Sequence, residues 1–402
     1  MFCRSSNKLL DEKTVAEFFA GIGLVRLGLE RAGWNVVFAN DIAEDKEQLY
    51  TGNFHDPVKH FLREDIHTLD VNKVPAAALA TASFPCTDLS LAGMRQGLSG
   101  KHSSAYWGFI RILEELEERR PPIVLLENVA GFLTSHGGKD FQAALLALNR
   151  LGYSVDAFIL DAARFVPQSR VRLFVVGTLS SVHGRWKDTR TPSFFEGPLR
   201  PAALADYIFH HPEISWSVRQ IPNPPEKTRL RLVDLLEKVP ENDPLWWSKE
   251  RTEYLSSQMS DKHAGTLQGM KEKKSWSYGT VFRRVRNGVS RAELRTDGIA
   301  GCLRTPKGGS AKQILIQAGY GKVKARLLTP RECARLMGAD DFNLDRIPLN
   351  QALFGFGDAV CVPAITWIAE NYLNPLIQEL IKEDEPIQEM YYAEKRPFKQ
   401  SA

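Results

Sequence analysis

Apolar residues over the first 180 positions alternate between two rhythms. Residues 14–19 (TVAEFF) form a short apolar run that predicts a buried strand. The segment after it, LVRLGLERAG, spaces Leu24, Leu27 and Gly28 along one helix face, with Gly33 as the stop. Residues 35–40 (NVVFAN) predict a second strand ending at Asp41, residues 44–53 a helix, and residues 79–84 (LATASF) a third strand cut off by Pro85. Tyr106, Phe109, Ile110, Leu113 and Leu116 share one face of a helix that Ser103 or Ser104 opens and Pro121-Pro122 ends. PIVLLEN (122–128) is nearly continuously apolar, as expected of a strand covered on both faces. A helix over AALLALNRLG and strands over SVDAFIL and VRLFVVG follow. Strands alternating with helices of this length predict an α/β fold with a mostly parallel sheet.

Near residue 180 the rhythm changes. From there to about 325 the chain is rich in Pro, Trp and basic residues without sustained helical spacing, and loops such as IPNPPEK (221–227) punctuate it. Helical spacing returns at TPRECARLMG (329–338), where Thr329, Pro330 and Glu332 form an N-terminal capping pattern. A long apolar helix is predicted from Asp358 to Ile381, returning to the first unit. The expected division is a first domain over 1–182, an irregular second domain over 183–328, a return segment over 329–385 and a polar tail over 386–402.

Composition narrows the class. The 402 residues are 43% apolar and 25% charged, within the range of ordinary globular proteins and outside that of disordered ones. Five scattered cysteines without a C-x-x-C pair signal neither a disulfide framework nor a zinc knuckle, and no metal is expected. The N-terminus lacks a long apolar region and no uninterrupted run reaches the roughly 18–20 residues of a membrane span, so a reducing cytoplasm and no membrane are expected. The formal net charge of +4 conceals an asymmetry: Lys262 to Lys312 holds twelve Lys or Arg against three Asp or Glu, which is +9 and leaves −5 elsewhere. Such a segment fits a polyanion-binding face or a solvated loop region.

Four motifs carry chemistry. In Phe18-Phe19-Ala20-Gly21-Ile22-Gly23 the glycines permit close backbone approach to a ligand on a strand-to-helix turn, and Asp41 ends the next strand, where a carboxylate can hold ribose hydroxyls. Arg26 stands where the pyrophosphate-binding pattern needs a third Gly, which disfavours a dinucleotide and leaves a nucleoside ligand or a plain tight turn. Pro85-Cys86 follows a strand, so Cys86 is either a nucleophile on the ligand-binding edge or a buried structural thiol. Glu127-Asn128-Val129 places an acid at a strand end, as a candidate proton donor beside apolar walls or a strand-end ion pair. Gln168-Ser169-Arg170-Val171-Arg172 puts two Arg on one face of an extended chain, able to reach one anionic group or to form a surface ladder.

The order of these motifs, F-x-G-x-G, P-C, E-N-V and Q-x-R-x-R, resembles the DNA (cytosine-5) methyltransferase family of bacterial or phage type. Arg304-Thr305-Pro306 with Gly308-Gly309 resembles the element that closes the family's target-recognition region. Phe356-Gly357-Asp358-Ala359-Val360 resembles its last motif, and Asp65-Ile66 its adenine-contacting acid. The resemblance spans roughly 14–178 and 300–375. Three positions depart from the pattern: Thr87 for Gln, Asp41 for Glu, and Asp358-Ala359 for Asn-Ser.

The resemblance implies a Rossmann-like S-adenosylmethionine-dependent catalytic domain and a smaller target-recognition domain. It implies that Cys86 attacks C6 of a flipped-out cytosine, that Glu127 holds its N3 and amino group, and that Arg172 contacts its carbonyl with Arg170 in support. The cofactor is expected over Phe18, Ala20, Gly21, Gly23, Asp41, Ile42, Asp65, Ile66, Pro85, Asp358 and Val360. Double-stranded DNA is expected against Ser90, Arg95, Lys101, Arg283, Arg284, Arg286, Arg304 and Lys307, with residues 90–104 closing over it. The expected activity is methylation of C5 in a short duplex sequence by a monomer, within restriction–modification protection and beside an endonuclease it does not bind. A catalytically silent DNA binder, an RNA cytosine-5 methyltransferase and a nicotinamide-dependent oxidoreductase are the alternatives; the missing third Gly counts against the last.

Overall fold

The computed structural model describes residues 10–55, 60–85, 104–179, 191–286, 288–305, 312–345 and 347–382. The first unit runs β1 (Thr14–Phe18), α1 (Leu24–Arg31), β2 (Asn35–Asp41), α2 (Glu44–Thr51), β3 (Phe61–Arg63), β4 (Leu79–Ala82), α3 (Ser104–Glu115), β5 (Ile123–Val129), α4 (Lys139–Arg150), β6 (Ser154–Asp161) and β7 (Val171–Thr178). Its seven strands lie in the order β3-β2-β1-β4-β5-β7-β6. The first five pair in parallel, and β7 runs antiparallel between β5 and β6. Both faces are covered. α3 and α4 supply Phe109, Leu113, Leu145 and Leu148 to one core, while α1 supplies Val25 and Leu29 to the other. That double burial is why the strands read as continuous apolar runs rather than alternating ones.

The expected boundary at residue 183 is not where the packing changes. The chain from Leu199 to Val218 lies on the large sheet: Ile159 N–H donates to Leu199 O at 2.7 Å, Val155 bridges Trp216, and α5 (Ala202–His210) buries Leu204 and Ile208 in the same core as Phe141. Arg200 is buried and forks onto both Asp156 oxygens at 2.8 Å, which fastens the segment to β6.

The second unit is more regular than its sequence implies. α6 (Lys249–Ser257) and α7 (Asp261–Lys271) pack on an antiparallel sheet of β8 (Ser277–Arg286), β9 (Val289–Arg295), β10 (Ile314–Gly319) and β11 (Lys322–Leu327), in the order β11-β10-β8-β9. Its core is Leu255, Met259, Leu267, Met270, Val281, Ala292, Leu294 and the inner residues of β10 and β11.

α8 (Pro330–Leu336) starts with the predicted capping box, Thr329 Oγ1 accepting from Glu332 N–H at 3.1 Å. The helix predicted from Asp358 begins later, at Val362. α9 (Leu349–Asp358) ends where the expected one begins, and Ala359 turns extended before α10 (Val362–Ile368) continues the chain towards Lys382. The run Leu349–Lys382 is long and apolar enough to cross a membrane, but most of it is buried here against the sheet. α10 crosses α1 at Gly28, where a Cβ would come within 2.6 Å of Ile365, so only Gly permits that approach. The chain there packs back on the first unit.

Candidate active site

The C-terminal ends of β1, β2, β4 and β5 form one edge of the large sheet, where ligands bind in open α/β folds. At the end of β1, Phe19 adopts φ 55°, Gly21 φ 58° and Gly23 φ 84°. Left-handed backbone at Phe19 is strained for a side-chain-bearing residue, and such strain gathers at ligand sites. Gly21 N–H donates to Asp41 Oδ2 at 2.9 Å and Ala43 N–H to Asp41 Oδ1 at 3.0 Å, so the buried carboxylate is held by backbone on both sides. Ile42, beside it, leaves 65% of its surface exposed.

These residues fit a nucleoside ligand. A Cβ at Gly21 would meet only Phe19 O, at 3.9 Å, so the turn has open room above it. Asp41 retains acceptor capacity for hydroxyls, and Ile42 offers an apolar face to a base. A pyrophosphate is not accommodated at Arg26. That guanidinium is buried, bonded to Glu30 at 2.7 Å and the Tyr50 hydroxyl at 3.1 Å, and lies over the Phe54 ring.

The other expected cofactor residues divide by exposure. Asp65 is exposed, with Oδ1 accepting His67 N–H at 2.9 Å, and Pro85 is exposed at the exit of β4. Ala20 is buried among Ala39, Tyr50 and Phe61. Phe18, Ile66 and Val360 are core residues: Phe18 meets Phe109 edge-on with ring centroids 5.2 Å apart, Ile66 packs on α3 at Gly108, and Val360 lies beneath the sheet. Their side chains are enclosed, so any contact with a bound nucleoside falls to their backbone or exposed edges.

Lys46, on α2, bridges two acids that the sequence reading set apart. Its Nζ lies 3.8 Å from Asp41 Oδ2 and 3.4 Å from Asp358 Oδ2. Burial works against its charge, but Asp41 and Asp358 outweigh that and hold its pKa above the ordinary lysine value. Asp358 also accepts a hydrogen bond from the Thr305 hydroxyl.

Glu127 is buried at the end of β5. Of the two arrangements expected there, the ion pair is the one present: Arg172 Nε is 2.8 Å from Glu127 Oε1. Arg172 opposes Val129 across the β5–β7 pairing, two residues along from Glu127's own partner, Phe174. Beside them Asn128 Nδ2 donates to Phe84 O at 3.3 Å and steadies the chain that leads into Pro85. Cys86, Ser90, Arg95, Lys101 and the whole 90–103 stretch lie outside the described residues, as does Lys307.

The two arginines differ in their partners. Arg170 is enclosed and donates to Leu303 O at 2.8 Å, Gly357 O at 3.1 Å and Ala359 O. Burial and the neighbouring Arg172 lower its pKa below the usual arginine range. Gln168, also fully buried, accepts Leu303 N–H at 3.0 Å and donates to Leu336 O at 2.7 Å. Both polar groups of Leu303 are therefore held by the Gln168–Arg170 pair, which pins the chain leading to Arg304. Gly357 is required there, because a Cβ would lie 2.5 Å from Thr305 N.

Arg304 is exposed, with its guanidinium 5.3 Å from the centre of the Phe282 ring; Arg284 lies 5.5 Å from the same ring. On β8 and β9, Val281, Arg283, Ala292 and Leu294 share the face turned to the small core, so Arg283 is half-buried. Phe282, Arg284, Arg291 and Glu293 share the opposite face. Arg286 ends β8, and its side chain lies outside the described residues. Burial pushes the Cys302 thiol pKa up, but Arg170, Arg172 and Arg304 outweigh it and lower it. Arg172 and Arg304 thus both act on Cys302, and Arg304 also lies over Phe282 of the second unit. Among the described residues, no group of three or more His, Cys, Asp or Glu is placed to hold a metal ion.

The profile of the family described as C-5 cytosine-specific DNA methylase matches residues 13–374. The chain belongs to this family. It is a DNA (cytosine-5) methyltransferase, and S-adenosylmethionine is its methyl donor. The methylase is similar to the type II methyltransferase M.Bsp6I of Bacillus sp. (strain RFL6), 25% identical over 368 residues covering 90% of this chain and 99% of that protein. It is 30% identical over 361 residues to the type II methyltransferase M.NlaX of Neisseria lactamica, covering 89% and 95% respectively. In fold it is similar to the Entamoeba histolytica methyltransferase EhMeth, with a TM-score of 0.60 at 16% identity over 89% of this chain and 97% of that one.

Sequence reasoning named Glu127, Arg172 and Asp41 but left out Lys46, Asn128, Gln168, Phe282 and Thr305 as site residues. Asn128, Gln168 and Thr305 each stand within a motif named above. Lys46 carries no local signal, because its partners meet it only through the fold.

Proposed function

We propose that the methylase acts on a cytosine flipped from duplex DNA, with Cys86 as nucleophile, Glu127 holding N3 and the amino group, and Arg172 contacting the base carbonyl. The observation that carries this reading is the Glu127–Arg172 pair at 2.8 Å, set beside the strand exit that leads into Pro85 and Cys86. An acid and a guanidinium side by side match a base edge that offers both donors and acceptors. Attack of the Cys86 sulfur on C6 breaks the C5–C6 double bond and places electron density on C5. Negative charge building on the ring is met by a proton that Glu127 donates at N3 and by the Arg172 guanidinium, in a site shielded from water. Bound S-adenosylmethionine supplies the methyl group that C5 accepts. Loss of the C5 proton to water, with the Cys86 sulfur leaving C6 as thiolate, then restores the C5–C6 double bond. Arg170 acts as a positioning residue, since its donors are engaged by backbone carbonyls.

Cofactor binding is assigned to the turn at Ala20–Gly23, to Asp41 and Ile42, and to Asp65, Pro85 and Asp358, with Phe18, Ile66 and Val360 supporting from the core. DNA binding is assigned to Arg284, Arg286 and Arg304 with Ser90, Arg95, Lys101 and Lys307; Arg283 supports its strand. The catalytic unit extends to about Arg219 and resumes after Leu327, and the target-recognition unit lies between. The relatives' type II naming supports a place in restriction–modification protection. We assign the chain to the cytoplasm as a monomer on DNA, sharing a target with a nuclease it does not bind.

The test is transfer of labelled methyl from S-adenosylmethionine by purified protein to duplex DNA, single-stranded DNA and RNA. Label recovered as 5-methylcytosine from duplex DNA is expected. Label in RNA alone overturns the substrate assignment, and duplex binding without transfer overturns the assignment of catalytic roles.

A further inference from the structure

Three elements meet at Lys46: the end of β2 through Asp41, α2 through Lys46 itself, and the end of α9 through Asp358, which in turn accepts from Thr305 of the 302–305 segment. Asp358 is the last residue of α9. Its negative charge therefore stands at the helix end that already carries partial negative charge, an unfavourable place without a cation. Asp41 is buried, and both its oxygens face inward onto backbone N–H groups. Lys46 reaches both acids, and its side chain is only 26% exposed, so solvent screens it less than an ordinary surface lysine.

We propose that Lys46 is a positioning residue of the cofactor site. Its ammonium holds Asp41 and Asp358 together at the pocket wall, and through Asp358 it ties the pocket to the Arg304–Thr305 segment on the DNA side. Without that cation, two carboxylates and a helix C-terminus would face a pocket that must receive a ligand bearing its own carboxylate. Asp358 would turn away, releasing Thr305, and Asp41 would lose the counter-charge beside Oδ2. The inference rests on the assignment of Asp41 to the cofactor.

The experiment measures S-adenosylhomocysteine binding by calorimetry for the wild type, Lys46→Met, Lys46→Arg, Asp358→Asn and the Lys46→Met/Asp358→Asn double variant. KM for S-adenosylmethionine and kcat are measured alongside. Lys46→Met should weaken binding about tenfold and raise KM by a similar factor, with kcat within about threefold. Lys46→Arg keeps the charge and should bind within about threefold of wild type. The double variant should recover most of the lost affinity, because an amide at 358 needs no counter-ion. A melting temperature that drops in Lys46→Met while affinity holds would overturn the inference, as would a double variant as weak as Lys46→Met. If Lys46→Met does not fold, the double variant decides by the same criterion. A wild type that binds no S-adenosylhomocysteine would overturn the cofactor assignment of Asp41 itself, whereas a binding wild type matched by Lys46→Met overturns only the role of Lys46.

Discussion

Arg172 Nε and Glu127 Oε1 stand 2.8 Å apart across adjacent antiparallel strands, at the edge where the chain leaves β4 into Pro85. A buried pair of this kind keeps both groups aimed, but it adds little net stability because each ion gives up its hydration. Its value is therefore in chemistry. Glu127→Gln keeps a hydrogen-bond acceptor for Arg172 and the same shape while removing the charge. Single-turnover methylation should fall about 100-fold or more with the fold unchanged. A fall of less than threefold would remove Glu127 from the reaction.

Arg170 behaves differently from its neighbour two residues on. Its guanidinium satisfies the carbonyls of Leu303, Gly357 and Ala359, and each would be left without that donor in Arg170→Ala. At roughly 1–3 kcal/mol per buried group left unpaired, the loss should be about 3 kcal/mol or more. Urea denaturation checks this: Arg170→Ala should unfold at clearly lower urea than Arg172→Ala. Equal midpoints would contradict the assignment of Arg170 to positioning.

Glu17 gives a pH signature. It is fully buried on β1 behind the glycine turn, and burial pushes its pKa up to about 8 despite the nearby Arg26. The folded state therefore keeps a proton that the unfolded chain releases near the ordinary value of 4.5. Stability from this group is fullest below that value, declines as pH rises towards 8, and is level beyond it. Thermal melting from pH 5 to 9 should show that decline, and Glu17→Gln should flatten it and melt higher at pH 8. A variant that melts lower throughout would show the carboxylate to be charged and paired.

On the hairpin β8–β9, Arg284 and Arg291 lie directly opposite each other on the face away from the small core. Like charges in that register repel, and Glu293 offsets only part of it through a 3.0 Å contact with Arg284. A polyanion resolves the conflict. Arg284→Glu and Arg291→Glu should each weaken duplex binding and lower the steepness of its dependence on salt by about one counter-ion. Arg283→Glu, on the half-buried face, should act mainly on stability. Binding unchanged across several salt concentrations would place DNA elsewhere.

The chain announces its catalytic half because that chemistry is local. The strand, the glycine turn and Asp41 occupy residues 14–41, and their geometry follows from β-pairing and a tight turn. Glu127, Arg170 and Arg172 are legible for the same reason, each lying at or just before a strand end. What stays hidden depends on contacts between distant segments. Gln168 reaches Leu303 across 135 positions, and Lys46 finds Asp358 only because α9 docks beside α2. Helix α7 is masked because it buries only Leu267 and Met270, too few for a visible stripe. The break at Ala359 is marked only indirectly, by Pro363 in the first turn of α10.

The central claim is methyl transfer to cytosine through Cys86, and base-resolution methylation sequencing tests it most directly. Plasmid DNA would come from a methylation-free host expressing this chain, with Cys86→Ser expressed in parallel to the same level. The account predicts 5-methylcytosine at one short sequence with the wild type and none with the variant. Methylation that persists in Cys86→Ser, or unmethylated DNA from abundant folded wild type, would contradict it.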